Sequence, residues 1–171
     1  VADVYGWRFD FVQSRWSNLA KDKAANKFDV AVGCITRSPA RVVTGDFLPA
    51  YAPFGKVALI NKKNKNKLTS LEKLNNPNVT VIKNPGGTNE QFVLQNLTKA
   101  KILTHEKNYE IPQLIAEGKG DLMITENAEA KLYAKKYPQL HAQFLDKPLT
   151  PVNYMGFWMP TDDPDYTRVM N

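Results

Sequence analysis

Three short stretches hold the side chains of this sequence that could do chemistry. In one, Asn84-Pro85-Gly86-Gly87-Thr88-Asn89-Glu90-Gln91-Phe92 follows the apolar run Val79-Thr80-Val81-Ile82. The run reads as a short buried strand. Pro85, Gly86 and Gly87 force a tight turn, and Thr88 with Gln91 three residues on reads as a capping box opening a helix toward Lys99. A strand, a glycine turn and a helix N-terminus together favour an anion, because free N–H groups and the helix dipole attract a carboxylate or phosphate. An ordinary βα turn explains the pattern equally well at this point.

The second stretch, Asp121-Leu122-Met123-Ile124-Thr125-Glu126-Asn127-Ala128-Glu129-Ala130, repeats the design. Thr125 is the expected N-cap. Glu126 and Glu129, three apart, share a helix face and raise each other's pKa, which is one route to a protonated acid near neutral pH. The helix N-terminus opposes that by favouring the charged forms, and a solvated acidic first turn is the plain alternative. In the third stretch, Phe28-Asp29-Val30-Ala31-Val32 reads as a strand leading into Gly33-Cys34-Ile35-Thr36-Arg37-Ser38-Pro39-Ala40-Arg41. An arginine in such a loop can grip a carboxylate in two-pronged fashion. In a basic chain it can equally be a surface charge.

Taken together, these stretches resemble the type II periplasmic solute-binding fold, family 3, of the polar amino-acid-binding type. The resemblance runs from Ser14-Arg15-Trp16-Ser17-Asn18-Leu19 to about Pro160. It is nearest to the branch that includes the cyclohexadienyl dehydratases, exported lyases acting on prephenate and arogenate in phenylalanine biosynthesis. Asn84 to Phe92, with Asn96-Leu97, and Asp121 to Leu132 are its most specific parts. Lys27 to Ala31 with Thr36 and Arg41 is typical of the wider superfamily and does not separate enzyme from binder.

The resemblance implies roles. Arg41 grips the ligand carboxylate, with Thr36 and the backbone near Gly33 beside it. Thr88 and Asn89 hold the ligand at a helix N-terminus, Trp16 forms a cleft wall, and Lys56 helps neutralise a dianion. Glu129 is the general acid. Glu126 stands where amino-acid binders have an aspartate for the ligand's amino group. Three departures bear on ligand identity: Glu126 is longer than that aspartate, Cys34 replaces a small residue, and Ala40 replaces a glutamate.

The implied function is decarboxylative dehydration of prephenate or arogenate to phenylpyruvate or phenylalanine. The alternative is a non-catalytic amino-acid-binding protein that hands its cargo to an ABC transporter permease; a sensory domain is a weaker third option. No metal or organic cofactor is required, and the expected partner is a small anionic carboxylate (prephenate, arogenate or an amino acid).

Composition is compatible with this. A chain of 171 residues, 43% hydrophobic, can bury a sizeable core as one domain or two small ones. A net charge of +6 with pI near 9.3 suits an anionic ligand. Much of the positive charge lies in Lys62-Lys63-Asn64-Lys65-Asn66-Lys67, read as a solvated loop, and no nucleic-acid-binding motif accompanies it. Cys34 is the single cysteine, so no intrachain disulfide can form. His105 and His141 read as structural, and metal-ligand spacing is absent.

Positioning these residues requires alternating strands and helices, hence an α/β class with parallel sheets. Helices are expected at 17–26, 69–75, 89–99, 109–117, 126–136 and from 163, and strands at 28–33, 56–61, 79–83, 101–104, 121–124, 142–145 and 154–159. The resemblance implies a Venus flytrap of two α/β lobes about a central ligand cleft: lobe one from 1–59 plus 151–171, lobe two from 60–150. Lobe one is expected to lack its N-terminal strand and helix, leaving exposed sheet edges that a partner chain could pair with. No signal peptide or apolar run of membrane-spanning length is read; the family implies a periplasmic or otherwise exported protein.

Overall fold

The computed structural model describes residues 2–159 and 164–170. The chain separates into two units, Val1–Pro53 with Asn153–Asn171, and Phe54–Val152. The first unit is built from short elements: α1 (Ala2–Tyr5), α2 (Leu19–Ala24), α3 (Pro39–Val42), β1 (Asp46–Phe47) and β2 (Ala52–Phe54). The second contains β3 (Lys56–Asn61), α4 (Leu71–Leu74), β4 (Thr80–Lys83), α5 (Thr88–Asn96), β5 (Lys101–Thr104), α6 (Ile111–Ala116), β6 (Leu122–Glu126), α7 (Asn127–Lys136) and β7 (Leu140–Gln143). The chain then returns to the first unit with β8 (Asn153–Met155), β9 (Trp158–Met159) and α8 (Pro164–Met170).

In the second unit the five strands lie in the order β5-β4-β6-β3-β7. β4 runs parallel to β5 and β6, whereas β3 runs antiparallel to both β6 and β7. The expected all-parallel sheet is therefore corrected to a mixed one. Hydrophobic alternation explains how the sheet is covered. Ala58, Ile60, Leu122 and Ile124 pack on one face with Phe92 and Val93 of α5, while Val57, Leu59 and Met123 pack on the other with Ile111 and Ile115 of α6 and Ala130 of α7. Every residue of β3 is buried, the signature of a central strand with helices on both faces. Its Val57, Leu59 and Ile60 side chains each contribute roughly 1.5–3 kcal/mol through burial.

In the first unit, β1 pairs antiparallel with β9, Phe47 opposite Trp158. Trp158 is almost wholly buried, among Leu19, Ala31 and Ile35. The strand expected at 28–33 does not form. Only Ala31 pairs, through an isolated bridge to Trp158, because Gly33 takes a φ of 119° and turns the chain away. The strand expected over 154–159 is split at Gly156, where an added Cβ would sit 3.0 Å from the Phe47 ring. Of the C-terminal helix expected from 163, Pro164–Met170 is helical and residue 163 lies outside the described residues. Among the described residues no helix is long and apolar enough to cross a membrane.

Candidate functional site

β3, α5 and β6 of the second unit bring four polar side chains to one point. Lys56, first residue of β3, lies opposite Glu126, last residue of β6, in the antiparallel register. Its ammonium is 2.6 Å from Glu126 Oε1 and 2.8 Å from Thr88 Oγ1, and it also donates to Asn89 Oδ1. An ammonium has three N–H donors, and here each meets an oxygen. The Lys56 and Glu126 side chains are only 7% and 9% exposed, and a charge shielded this far from water must be paired. The Phe54 ring adds an aromatic face 5.4 Å from the same nitrogen.

Thr88 and Asn89 are placed by the glycine turn. Gly86 adopts φ 88°, which glycine accepts without strain. The capping box expected from Thr88 and Gln91 is not how the helix starts. Gly87 is the N-cap, with no side-chain cap bond, so Thr88 is the first helical residue. Glu90 does the tethering instead: its carboxylate accepts from Gly86 N at 2.7 Å and pairs with Lys83 at the end of β4. The Lys83 hydrogen bond, then the Gly86 N–H, hold the Glu90 carboxyl below its ordinary pKa. One N–H of the turn expected to receive an external anion is thus answered by Glu90.

Thr125 is likewise not the cap of the next helix. It is a fully buried residue of β6, and Glu126 is the N-cap of α7 without a side-chain cap bond. Freed from capping, the Thr125 hydroxyl hydrogen-bonds the Glu129 carboxyl and lies 3.4 Å from Glu126 Oε2. Asn108, in the 3-10 turn Asn108–Glu110 before α6, donates to Glu129 Oε1 at 3.2 Å. Burial pushes the Glu129 pKa up and the Glu126 charge adds to this, against the lowering influence of Thr125, Asn108 and Lys56. The hydroxyl of Thr125 carries one proton and cannot donate to both carboxylates. The nearer carboxyl, that of Glu129, takes it, which is why this bond works against burial on the Glu129 pKa.

In the first unit, Arg41, Thr36 and Trp16 come together. The Arg41 guanidinium donates to Thr36 O at 3.1 Å and lies 5.7 Å over the Trp16 ring. The Trp158 indole donates to Arg41 O at 3.0 Å, anchoring α3. Nearby, the Tyr51 hydroxyl donates to Gly33 O, beside the exposed Cys34. Among the described residues no three His, Cys, Asp or Glu side chains gather as metal ligands would.

Sequence reasoning placed Lys56, Thr88, Asn89, Glu126 and Glu129 near ligand, and the fold gathers them; Arg41, Thr36 and Trp16 form their own group. It missed Asn108, the hydroxyl of Thr125 and the Lys83–Glu90 clamp. The signal for the clamp was available in the i, i+3 and i, i+4 spacing from Gly87 and Gly86 to Glu90. Nothing local pointed to Asn108.

Three comparisons bear on this geometry. Residues 1–171 match the profile of the bacterial extracellular solute-binding proteins, family 3. A cyclohexadienyl dehydratase from Pseudomonas aeruginosa is 37% identical over 148 residues, covering 86% of this chain and 55% of that protein. The chain thus spans just over half the length of this curated relative. A crystal structure of an ancestral amino acid-binding protein, described as a precursor of cyclohexadienyl dehydratase, superimposes with a TM-score of 0.87 at 30% identity, over 99% of this chain and 72% of that one. An ancestral cyclohexadienyl dehydratase matches with a TM-score of 0.55 at 44% identity, over 99% and 70%.

Proposed function

We infer a function from the premise that this chain belongs to the bacterial extracellular solute-binding proteins of family 3, with their α/β periplasmic-binding-protein-like fold and mixed sheet: it is a carbon–oxygen lyase of the cyclohexadienyl dehydratase type, acting on prephenate or arogenate outside the cytoplasm. The observation that carries this is the state of Glu129. Thr125 and Asn108 hold its carboxyl in place beside the buried Lys56–Glu126 pair. Burial inclines it to keep its proton against the opposite pull of Thr125, Asn108 and Lys56, and a fixed carboxyl so inclined is what a general acid requires.

In the proposed reaction Glu129 protonates the ring hydroxyl of prephenate and water leaves. The bond from the ring to its carboxylate breaks, carbon dioxide departs, and that electron pair completes the aromatic ring. Prephenate plus one proton gives phenylpyruvate, carbon dioxide and water, so Glu129 must be recharged from solvent each turnover. Lys56, its charge already paired with Glu126, fixes Thr88 and Asn89 where they meet the ligand. Thr88 and Asn89 orient the ligand at the start of α5; with its oxygen committed to Lys56, Asn89 has its NH2 left to donate to a carboxylate. Arg41, with Thr36 and Trp16, is proposed as a carboxylate grip on the first unit. No step calls for a metal or organic cofactor.

The second reading is an amino-acid-binding protein serving an ABC transporter. It is favoured by the likeness to an ancestral amino acid-binding protein. The experiment is turnover of prephenate, followed as phenylpyruvate formation by the full-length protein at neutral pH, beside a thermal-shift screen of amino acids. Turnover supports the lyase. A large shift with one amino acid and no turnover establishes the binder.

A further inference from the structure

The acceptors around Lys56 are those that would receive an ammonium group from a ligand: a carboxylate, a hydroxyl and an amide oxygen, converging from β6 and α5. They are already occupied, from within the chain. Lys56 Nζ reaches Glu126 Oε1 at 2.6 Å and Thr88 Oγ1 at 2.8 Å, and takes Asn89 Oδ1 as its third acceptor. The shielding of both charged side chains leaves little water to screen a second cation brought to this place.

We propose that Lys56 is a tethered ammonium that fills the amine subsite, so that this chain selects a carboxylic acid with an oxo or hydroxy group at C2 over the corresponding α-amino acid. This rests on the function proposed above and narrows it: the preferred substrate is prephenate, whose side chain ends in a 2-oxo acid, and arogenate, which carries an ammonium at the same carbon, is disfavoured. The physical reason is occupancy. An entering ammonium would have to displace the Lys56 nitrogen from the same three acceptors, and the displaced lysine would then lie beside it as an uncompensated like charge in a poorly screened place. A 2-oxo group needs none of those acceptors.

The length of Glu126 fits the same logic. The antiparallel register sets it directly opposite Lys56, so the two long side chains close on each other.

The test uses a matched pair of probes differing only at C2, phenylpyruvate and L-phenylalanine, with binding measured by calorimetry on the full-length protein. The unmodified protein is expected to bind phenylpyruvate at least about tenfold more tightly, the ratio that one like-charge contact readily produces. Lys56→Gln removes the internal cation and leaves Glu126 seeking one, so phenylalanine affinity is expected to rise about tenfold or more while phenylpyruvate affinity does not. The double variant Lys56→Gln, Glu126→Gln removes both charges and is expected to lose the gain for phenylalanine. Equal binding of both acids by the unmodified protein overturns the proposal and leaves the lyase intact, and this holds whether or not the variants fold. An unchanged ratio in a folded Lys56→Gln also overturns it. Binding of neither acid, with no turnover of prephenate, overturns the proposed function and the proposal with it.

Discussion

The Lys56 ammonium and the Glu126 carboxylate, 70 residues apart in sequence, meet at 2.6 Å with both side chains nine-tenths shielded from water. A pair of this kind adds little net stability when whole and costs much when broken, since removing one member strands the other charge. Glu126→Ala is therefore expected to destabilise the second unit by about 3–5 kcal/mol, whereas Lys56→Met, Glu126→Met, which strands nothing, should cost far less. Urea unfolding of the two variants checks this; equal losses would mean the pair is not electrostatically coupled.

Glu129 makes stability depend on pH in a definite sense. Its pKa in the fold is raised above the ordinary 4.5, chiefly by burial. Below the unfolded value both states hold the proton and its contribution is fully present. As pH rises, the unfolded chain ionises first, and the contribution is lost as pH passes through the folded pKa. Glu129→Gln should abolish this fall, making the variant at least as stable as the parent at neutral pH. Melting temperatures of both across pH 4 to 8 supply the comparison.

Asn108 is expected to be a positioning residue for Glu129. Its amide donates to Oε1 while its own Oδ1 is buried without a partner among the described residues. The bond favours the charged carboxylate, so Asn108→Ala should raise the Glu129 pKa further and move the alkaline limb of the activity profile upward. It should also lower kcat more than it raises KM, because a loosened carboxyl protonates less productively. A merely structural asparagine would leave the limb where it was.

The glycine turn carries a fourth expectation. Glu90 ties Gly86 N to Lys83 and is held below its usual pKa by them. Its contribution is present above the unfolded pKa and lost as pH falls through the folded one. Glu90→Ala should weaken ligand affinity several-fold through Thr88 and Asn89, and hydrogen exchange at Gly86 to Asn89 should quicken.

Much of this fold was legible in the sequence, and the exceptions have physical causes. Lys56–Asn61 could be read as a buried strand because Val57 to Ile60 is an unbroken apolar run. Val30 to Val32 looked the same, yet strand character there depends on a neighbour, and only Ala31 has one. Thr125 carried the usual mark of a helix cap. The mark failed because a strand residue's hydroxyl was needed by Glu129. The parallel sheet was inferred from βα alternation, which says nothing about β3, a strand that enters from the other unit. Side chains could be nominated singly; the Lys56–Glu126 and Asn108–Glu129 contacts join positions that only the fold brings together.

The most direct measurement compares the parent and Glu129→Gln for conversion of prephenate to phenylpyruvate, alongside binding of phenylpyruvate by each. Glutamine keeps the size and the bonds to Thr125 and Asn108 but has no acidic proton. The parent is expected to turn over, with kcat/KM falling as pH rises through the Glu129 pKa, and Glu129→Gln to bind comparably while losing at least about a hundredfold in kcat, the usual worth of a general acid. Equal turnover by the two proteins would contradict the assignment of Glu129, and with it the reason for calling this chain a lyase.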